Sequence, residues 1–322
     1  MTGSELDSVA ATGKGRPAPR FVEVFQENFE RELDAISALV ASGKYKLIAM
    51  DTEFPGVVAR PLGSFPSSED FQYQTLRCNV DLLKIIQVGL CVADPYGNLP
   101  SVEDAPSGNV WQFNFAFSLV DDIFAQSSVD MLQEAGINFE ALQNHGIEPL
   151  HFGELLITSG LVLNEELTWI TFHSGYDFGY LTKLCTADSL PMTRQEFQEL
   201  VGLFFPRIFD IKCIMSSLQL HGGLNKLADT LHVRRHGAAH QAASDALLTL
   251  DAFTRLKQIH ASAIGLEQCA NLLYGLSFHS SMESATRNAA EHSNVTPESD
   301  TPHDSRDSFR VDHSASSATS AA

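Results

Sequence analysis

Apolar positions along the chain follow two periods. Val22, Phe25, Phe29, Leu33, Ile36 and Val40 recur every three or four residues, which predicts an amphipathic helix from about residue 22. Residues 46–54 form a short apolar run bounded by Pro55-Gly56. Residues 84–92 form a second, closed by Asp94-Pro95-Tyr96-Gly97; both read as strands ending in turns. In 110–117, Trp111, Phe113, Phe115 and Phe117 alternate with smaller or polar residues, a third strand. The stretch from 119 to about 160 reads as mostly helical, 167–172 as a fourth strand, and 176–184 carries a helical stripe. Thr193 and Glu196 make a capping box ahead of Phe197, Leu200, Leu203 and Phe204. A short fifth strand at 207–211 and helices at 224–231 and 244–259 complete the pattern. Three successive strands, then strands separated by helices, indicate an α/β domain with a mixed sheet. The first three strands can form an antiparallel meander, and the last two need crossovers.

Composition marks off the ends. Residues 1–20 are rich in Gly, Ala, Ser, Thr and Pro, and 277–322 in Ser, Thr, Ala and acids; neither segment has enough to bury, so both are expected to be flexible tails. The folded body is then 21–276, a single domain. The chain has 21 Lys+Arg against 40 Asp+Glu, a net charge of −19, and most of that deficit lies in the body. Such a surface argues against broad, non-specific binding to nucleic acid or anionic membrane. The five cysteines (78, 91, 185, 213, 269) are scattered without a C-x-x-C pair, which fits reduced thiols inside a cell and not a disulfide framework or zinc module. No signal-peptide core and no apolar run near 18 residues is evident, so a soluble protein of cytoplasm or nucleus is expected, with no membrane partner.

The candidate chemistry is acidic. Asp51 and Glu53 close the first predicted strand, and residues i and i+2 of a strand face the same side. Two carboxylates on one face of a sheet need a positive neighbour, which an ion pair or a metal can supply. Asp177 follows the fourth strand and Asp245 opens the last helix; each alone also reads as an acid placed by a helix dipole. His240, five residues before Asp245, reads by itself as a loop histidine. The set says more than its members: D-x-E, D and D, each near a strand end or helix start, with an imidazole beside the last. Carboxylate oxygens suit hard divalent cations such as Mg²⁺ or Mn²⁺. Two such ions stabilise the attacking and leaving oxygens of a phosphodiester displacement while an imidazole accepts the proton of the attacking water. Asp210, on the fifth strand, reads as the cap of the next helix, outside this set.

These residues carry a resemblance. Met50-Asp51-Thr52-Glu53-Phe54-Pro55-Gly56-Val57-Val58, Phe172-His173-Ser174-Gly175-Tyr176-Asp177-Phe178-Gly179-Tyr180-Leu181 and His240-Gln241-Ala242-Ala243-Ser244-Asp245 resemble the motifs of the DEDD exonuclease superfamily, histidine subclass. With Arg77-Cys78-Asn79-Val80-Asp81-Leu82-Leu83-Lys84 and Trp111-Gln112-Phe113-Asn114-Phe115, the chain is similar to the CCR-associated-factor (Pop-type) catalytic deadenylases of the CCR-NOT complex, from about residue 21 to 276. The resemblance implies a ribonuclease-H-like fold, a mixed five- or six-stranded sheet flanked by helices, and 3′→5′ removal of poly(A) tails with release of AMP. It implies two divalent ions, Mg²⁺ or Mn²⁺, on Asp51, Glu53, Asp177 and Asp245, and His240 as general base. It also implies a scaffold subunit and a leucine-rich-repeat partner deadenylase as partners beside poly(A) RNA. Phe54 is a candidate contact for the 3′-terminal bases or a core residue; Arg235 a phosphate contact or a solvated turn; Cys78 and Leu82 a docking face for the repeat partner or core. Ala243 stands where Gly is frequent in the family, which matters only if the backbone there needs a positive φ. Two other readings remain at this stage: a DEDD exonuclease acting on other RNA or DNA ends, and an interaction subunit with a vestigial site.

Overall fold

The computed structural model describes residues 18–101, 105–260 and 265–277. The proposed tails thus lie almost entirely outside the described residues. Six strands form one mixed sheet: β1 (Arg20–Val24), β2 (Leu47–Glu53), β3 (Gln87–Ala93), β4 (Asn109–Asn114), β5 (Thr168–Thr171) and β6 (Ile208–Asp210), in the order β1-β4-β3-β2-β5-β6. The expected meander is present, with β2 antiparallel to β3 and β3 to β4. The expected crossovers are present too: β5 joins β2 in parallel and β6 joins β5 in parallel. Among the described residues, no helix is long and apolar enough to cross a membrane.

The N-terminal helix predicted from residue 22 is corrected. Residues 20–24 are an edge strand, paired in parallel with β4 from Arg20↔Asn109 to Val24↔Phe113, and helix α1 begins at Phe29 and ends at Ala41. The side chain of Asn28 makes the break: its Oδ1 accepts the Phe25 amide and its Nδ2 donates to the Glu23 carbonyl. Val22 and Phe25 fall on the helical period by coincidence, because a strand followed by a tight turn returns apolar residues to the core at similar spacing.

Helix α2 (Ser68–Leu82) precedes β3. The long helical stretch after β4 is three short helices, α3 (Gln126–Glu134), α4 (Phe139–His145) and α5 (Pro149–Thr158). Gly136, at φ +96°, turns the chain between the first two, and Pro149 starts the third at a position where its missing N–H costs nothing. Helix α6 (Gly175–Thr186) follows β5, and α7 (Arg194–Phe204) carries the expected capping box on Thr193 and Glu196. Helices α8 (Ile211–Ser217), α9 (Leu224–Leu231) and α10 (Ala242–His260) complete the body. The predicted fifth strand is shorter than expected because it ends at Asp210, whose side chain caps α8 by accepting the Lys212 amide at 3.0 Å.

Strands β2, β3 and β4 are buried along their whole lengths, with an apolar cluster on each face of the sheet. Helix α10 crosses one face, and Gly89 sets its height. This residue lies opposite Asp51 in the β2–β3 register, and a Cβ there would fall 2.1 Å from the backbone carbonyl of Ala242 and 2.4 Å from the Ala243 nitrogen. Gly89→Ala must therefore lift the helix start away from the strand. It is expected to cost about 1–3 kcal/mol of stability, read by urea denaturation, in the range of overpacked core positions. Ala243 itself lies in regular helix, so a methyl there meets no left-handed strain.

Candidate active site

The site lies where β2 ends. Asp51 and Glu53 point to one face at its last turns of pleat, and α10, brought down on Gly89, sets Asp245 against them. Oxygens of these three buried carboxylates lie within 4.8 Å of one another. Asp177, in the first turn of α6, does not belong to that group but adjoins it through Thr52, the residue between the two strand acids. Its Oδ1 accepts the Thr52 amide at 2.9 Å and the Thr52 hydroxyl at 2.8 Å. The sheet explains the bond: pairing of β2 with β5 stops at Ala49↔Ile170, and beyond it Asp177 provides the acceptor that strand β5 no longer offers.

Asp245 is fixed on both oxygens. Its Oδ1 accepts Arg235 Nη2 at 2.6 Å and its Oδ2 accepts the His240 backbone amide at 2.9 Å. Arg235 also donates to Asn225 Oδ1 and Ser244 Oγ, so its guanidinium is bound on several sides to the frame of the site. This is an arrangement that neither sequence reading of Arg235 contained. His240 sits in the turn before α10 at φ +61° and is exposed, its backbone amide held on Asp245. Left-handed backbone is unusual outside glycine, and histidine is among the residues that tolerate it. Phe54 follows Glu53 and stacks on Tyr176 with centroids 4.9 Å apart, and the Tyr180 ring lies 5.4 Å from Phe54. Phe54 and Tyr176, both half-buried, form a stacked pair next to Glu53 in the chain, packed on the core through Tyr180. Burial holds the Tyr180 hydroxyl well above the usual phenol range.

Residues outside the cluster keep other tasks. Asp210 is a buried hub: its carboxylate accepts backbone amides of His173, Ser174, Lys212 and Tyr274. Burial pushes its pKa up while those amides oppose the shift. It locks the turn that delivers Asp177 and does not touch the acids. Cys78 and Leu82 lie on α2. The Cys78 thiol is half-buried and bonds to the Gln74 carbonyl, whereas Leu82 is 48% exposed. Sequence reading missed Thr52 as the anchor of Asp177. The signal available was a polar residue on the opposite face of a strand that is otherwise apolar there.

Clustered buried carboxylates repel and are costly to ionise without a cation. An all-oxygen donor set of this kind suits hard divalent cations such as Mg²⁺ or Mn²⁺. A central strand ending in D-x-E, with two further acids from helices on either side, defines a nuclease of the ribonuclease-H-like class. Comparison with known proteins narrows this. The model of the CAF1 family ribonucleases matches residues 24–151, which include Asp51, Glu53 and Phe54. Poly(A) ribonuclease pop2 of Schizosaccharomyces pombe is 50% identical over 255 residues, covering 79% of this chain and 74% of that protein. CCR4-NOT transcription complex subunit 7 of Caenorhabditis elegans is 49% identical over 247 residues, 75% of this chain and 77% of that one. The structure of S. pombe Pop2p in its Mg²⁺- and Mn²⁺-bound form superposes with a TM-score of 0.76 at 49% identity, covering 80% of this chain and 99% of that one. A chain in the structure of the yeast NOT1 MIF4G domain co-crystallised with CAF1 gives a TM-score of 0.65 at 30% identity, covering 79% of this chain and 96% of that one. The chain belongs to the CAF1 ribonuclease family.

Proposed function

We infer that this protein is a poly(A)-specific 3′→5′ exoribonuclease that shortens mRNA tails and releases AMP, acting as a subunit of the CCR4-NOT assembly. The observation that carries the reading is the buried trio of Asp51, Glu53 and Asp245 within 4.8 Å, in a family member whose solved relative binds Mg²⁺ and Mn²⁺. Asp51, Glu53, Asp245 and the adjoining Asp177 are the residues that would hold two divalent ions. When bound, these ions neutralise the scissile phosphate and the charge on the attacking and leaving oxygens. His240, exposed and tied through its backbone amide to Asp245, accepts the proton of the attacking water, and Arg235 keeps Asp245 from swinging out. The Phe54–Tyr176 pair offers a flat face to the terminal bases, where stacking suits purines.

The scaffold partner follows from the relatives named as CCR4-NOT subunits or crystallised with NOT1. For the leucine-rich-repeat partner nuclease, the exposed Leu82 and the adjacent Cys78 on α2 are the proposed contact. Residence in cytoplasm and nucleus is proposed with it, in keeping with five free cysteines.

A time course on 5′- and 3′-labelled A-tailed RNA tests the reading. With Mg²⁺ or Mn²⁺, stepwise shortening from the 3′ end is expected, with AMP as product; EDTA is expected to stop it and excess metal to restore it. Equal rates on oligo(U), oligo(C) or DNA would replace poly(A) with a broader substrate. No metal binding by calorimetry would leave only an interaction role.

A further inference from the structure

The start of α10 draws partners from the sheet. The Asp245 amide bonds to the Gln241 carbonyl, so Ala242 and Ala243 are the first helical residues, and their N–H groups have no partner within the helix. Two buried side chains from the sheet meet them. Gln87 on β3 accepts the Ala242 amide on its Oε1 at 3.4 Å, and Gln112 on β4 accepts the Ala243 amide at 3.2 Å. Each glutamine is held from its other end. Gln112 Nε2 donates to Glu23 Oε1 at 2.9 Å and to Gln241 Oε1 at 2.7 Å; Gln87 Nε2 donates to Asn114 Oδ1 at 2.8 Å. Asn114 Nδ2 in turn donates to Glu23 Oε2 at 2.8 Å. Glu23 stands on β1, the strand absent from the sequence reading. It lines the wall of a pocket of about 500 Å³ that also borders Gly237, Ala238 and Gln241, on either side of His240 in the loop before α10.

The chain of bonds therefore runs from the carboxylate of β1 through two strands to the helix turn that carries Asp245. Buried amides in an apolar sheet are costly unless every group is satisfied, and a network satisfied in one arrangement fixes that arrangement. A generic helix cap needs none of this, since one Ser or Asp beside the first turn does the same for stability.

We propose that Gln87 and Gln112, oriented by Asn114 and Glu23, are positioning residues that set the first turn of α10, and through it the Asp245 carboxylate and the His240 turn, against Asp51 and Glu53. The inference rests on the functional reading above and adds to it the part of the sheet that holds the helical half of the site in register. These contacts act on Asp245 through the helix turn that carries it; partners that orient metal ligands typically change metal affinity or activity 10–100-fold when removed.

The test uses Gln112→Met, which keeps the volume and removes both the acceptor and the donor, and the exchange pair Glu23→Gln with Gln112→Glu, which reverses the roles of carboxylate and amide across their shared bond. Three quantities are measured on the full chain: Mn²⁺ affinity by calorimetry, kcat and KM on oligo(A), and melting temperature in EDTA. The wild-type protein must first bind Mn²⁺ and shorten oligo(A); if it does not, the functional reading fails and not this one. Gln112→Met is expected to lose about 10–100-fold in Mn²⁺ affinity and kcat, with KM little changed. The exchanged double variant is expected to recover much of what Gln112→Glu alone loses in both. Metal affinity and kcat within twofold of wild type in a folded Gln112→Met protein overturn the proposal. Should Gln112→Met not fold, the exchange decides: recovery of melting temperature with no recovery of Mn²⁺ affinity shows a purely structural role and likewise overturns it.

Discussion

Asp51→Asn is expected to lose activity on A-tailed RNA by about 10³-fold or more while the protein stays folded. The substitution is isosteric on a strand buried along its whole length, so packing is preserved. What changes is the donor set. One of three mutually close carboxylates becomes an amide with a single neutral acceptor oxygen, and the cluster loses a negative charge that a divalent ion needs. The same change relieves repulsion in the metal-free protein, so the melting temperature in EDTA should equal or exceed that of wild type. Added Mn²⁺ should then raise it less than in wild type, because ligand stabilisation follows affinity. The combination of lost turnover and undiminished metal-free stability separates a ligand from a structural acid. Wild-type turnover in purified Asp51→Asn protein would sink the assignment.

His240→Ala is expected to cost 10²–10⁴-fold in kcat, the usual share of a general base. The structure makes this substitution unusually selective. The bond from residue 240 to Asp245 comes from the backbone amide, which alanine keeps, so the variant removes the imidazole and leaves the ligand acid anchored. Mn²⁺ affinity by calorimetry should therefore survive in His240→Ala and fail in Asp51→Asn. Because residue 240 holds a left-handed conformation, His240→Asn is the companion variant: asparagine tolerates that backbone better, so equal losses in both exclude strain as the cause. A loss of only two- or three-fold would leave position 240 a backbone role alone.

Most elements were legible because burial writes a period into the side chains. The helix at 224–231 matches in both boundaries, the capping box on Thr193 and Glu196 is present with both of its bonds, and the meander of β2, β3 and β4 follows from three close apolar runs. Asp51 and Glu53 were readable as a same-face pair because strand geometry is local. The edge strand β1 was not, since its character comes from pairing with β4, and residues 20–24 carry no alternation strong enough to reveal a partner so far along the chain. The split of 119–160 into three helices was missed for a related reason: Gly136 and Pro149 were visible as breakers, but which apolar face each piece buries depends on the sheet beneath.

The sequence by itself determined which residues are candidates for the chemistry: four acids and a histidine, their order, and the strand or helix end on which each is placed. The tertiary structure alone decided how they meet. It brings Asp245 onto Asp51 and Glu53 across Gly89, ties Asp177 to Thr52, and turns Arg235 from a loop cation into the partner of Asp245. It also joins Gln112 to Gln241 over 129 positions. The division has a physical reason. Side-chain periodicity and strand alternation are properties of a few neighbouring residues, whereas an ion pair or a buried amide network exists only after the backbone has folded and water has been excluded from its members.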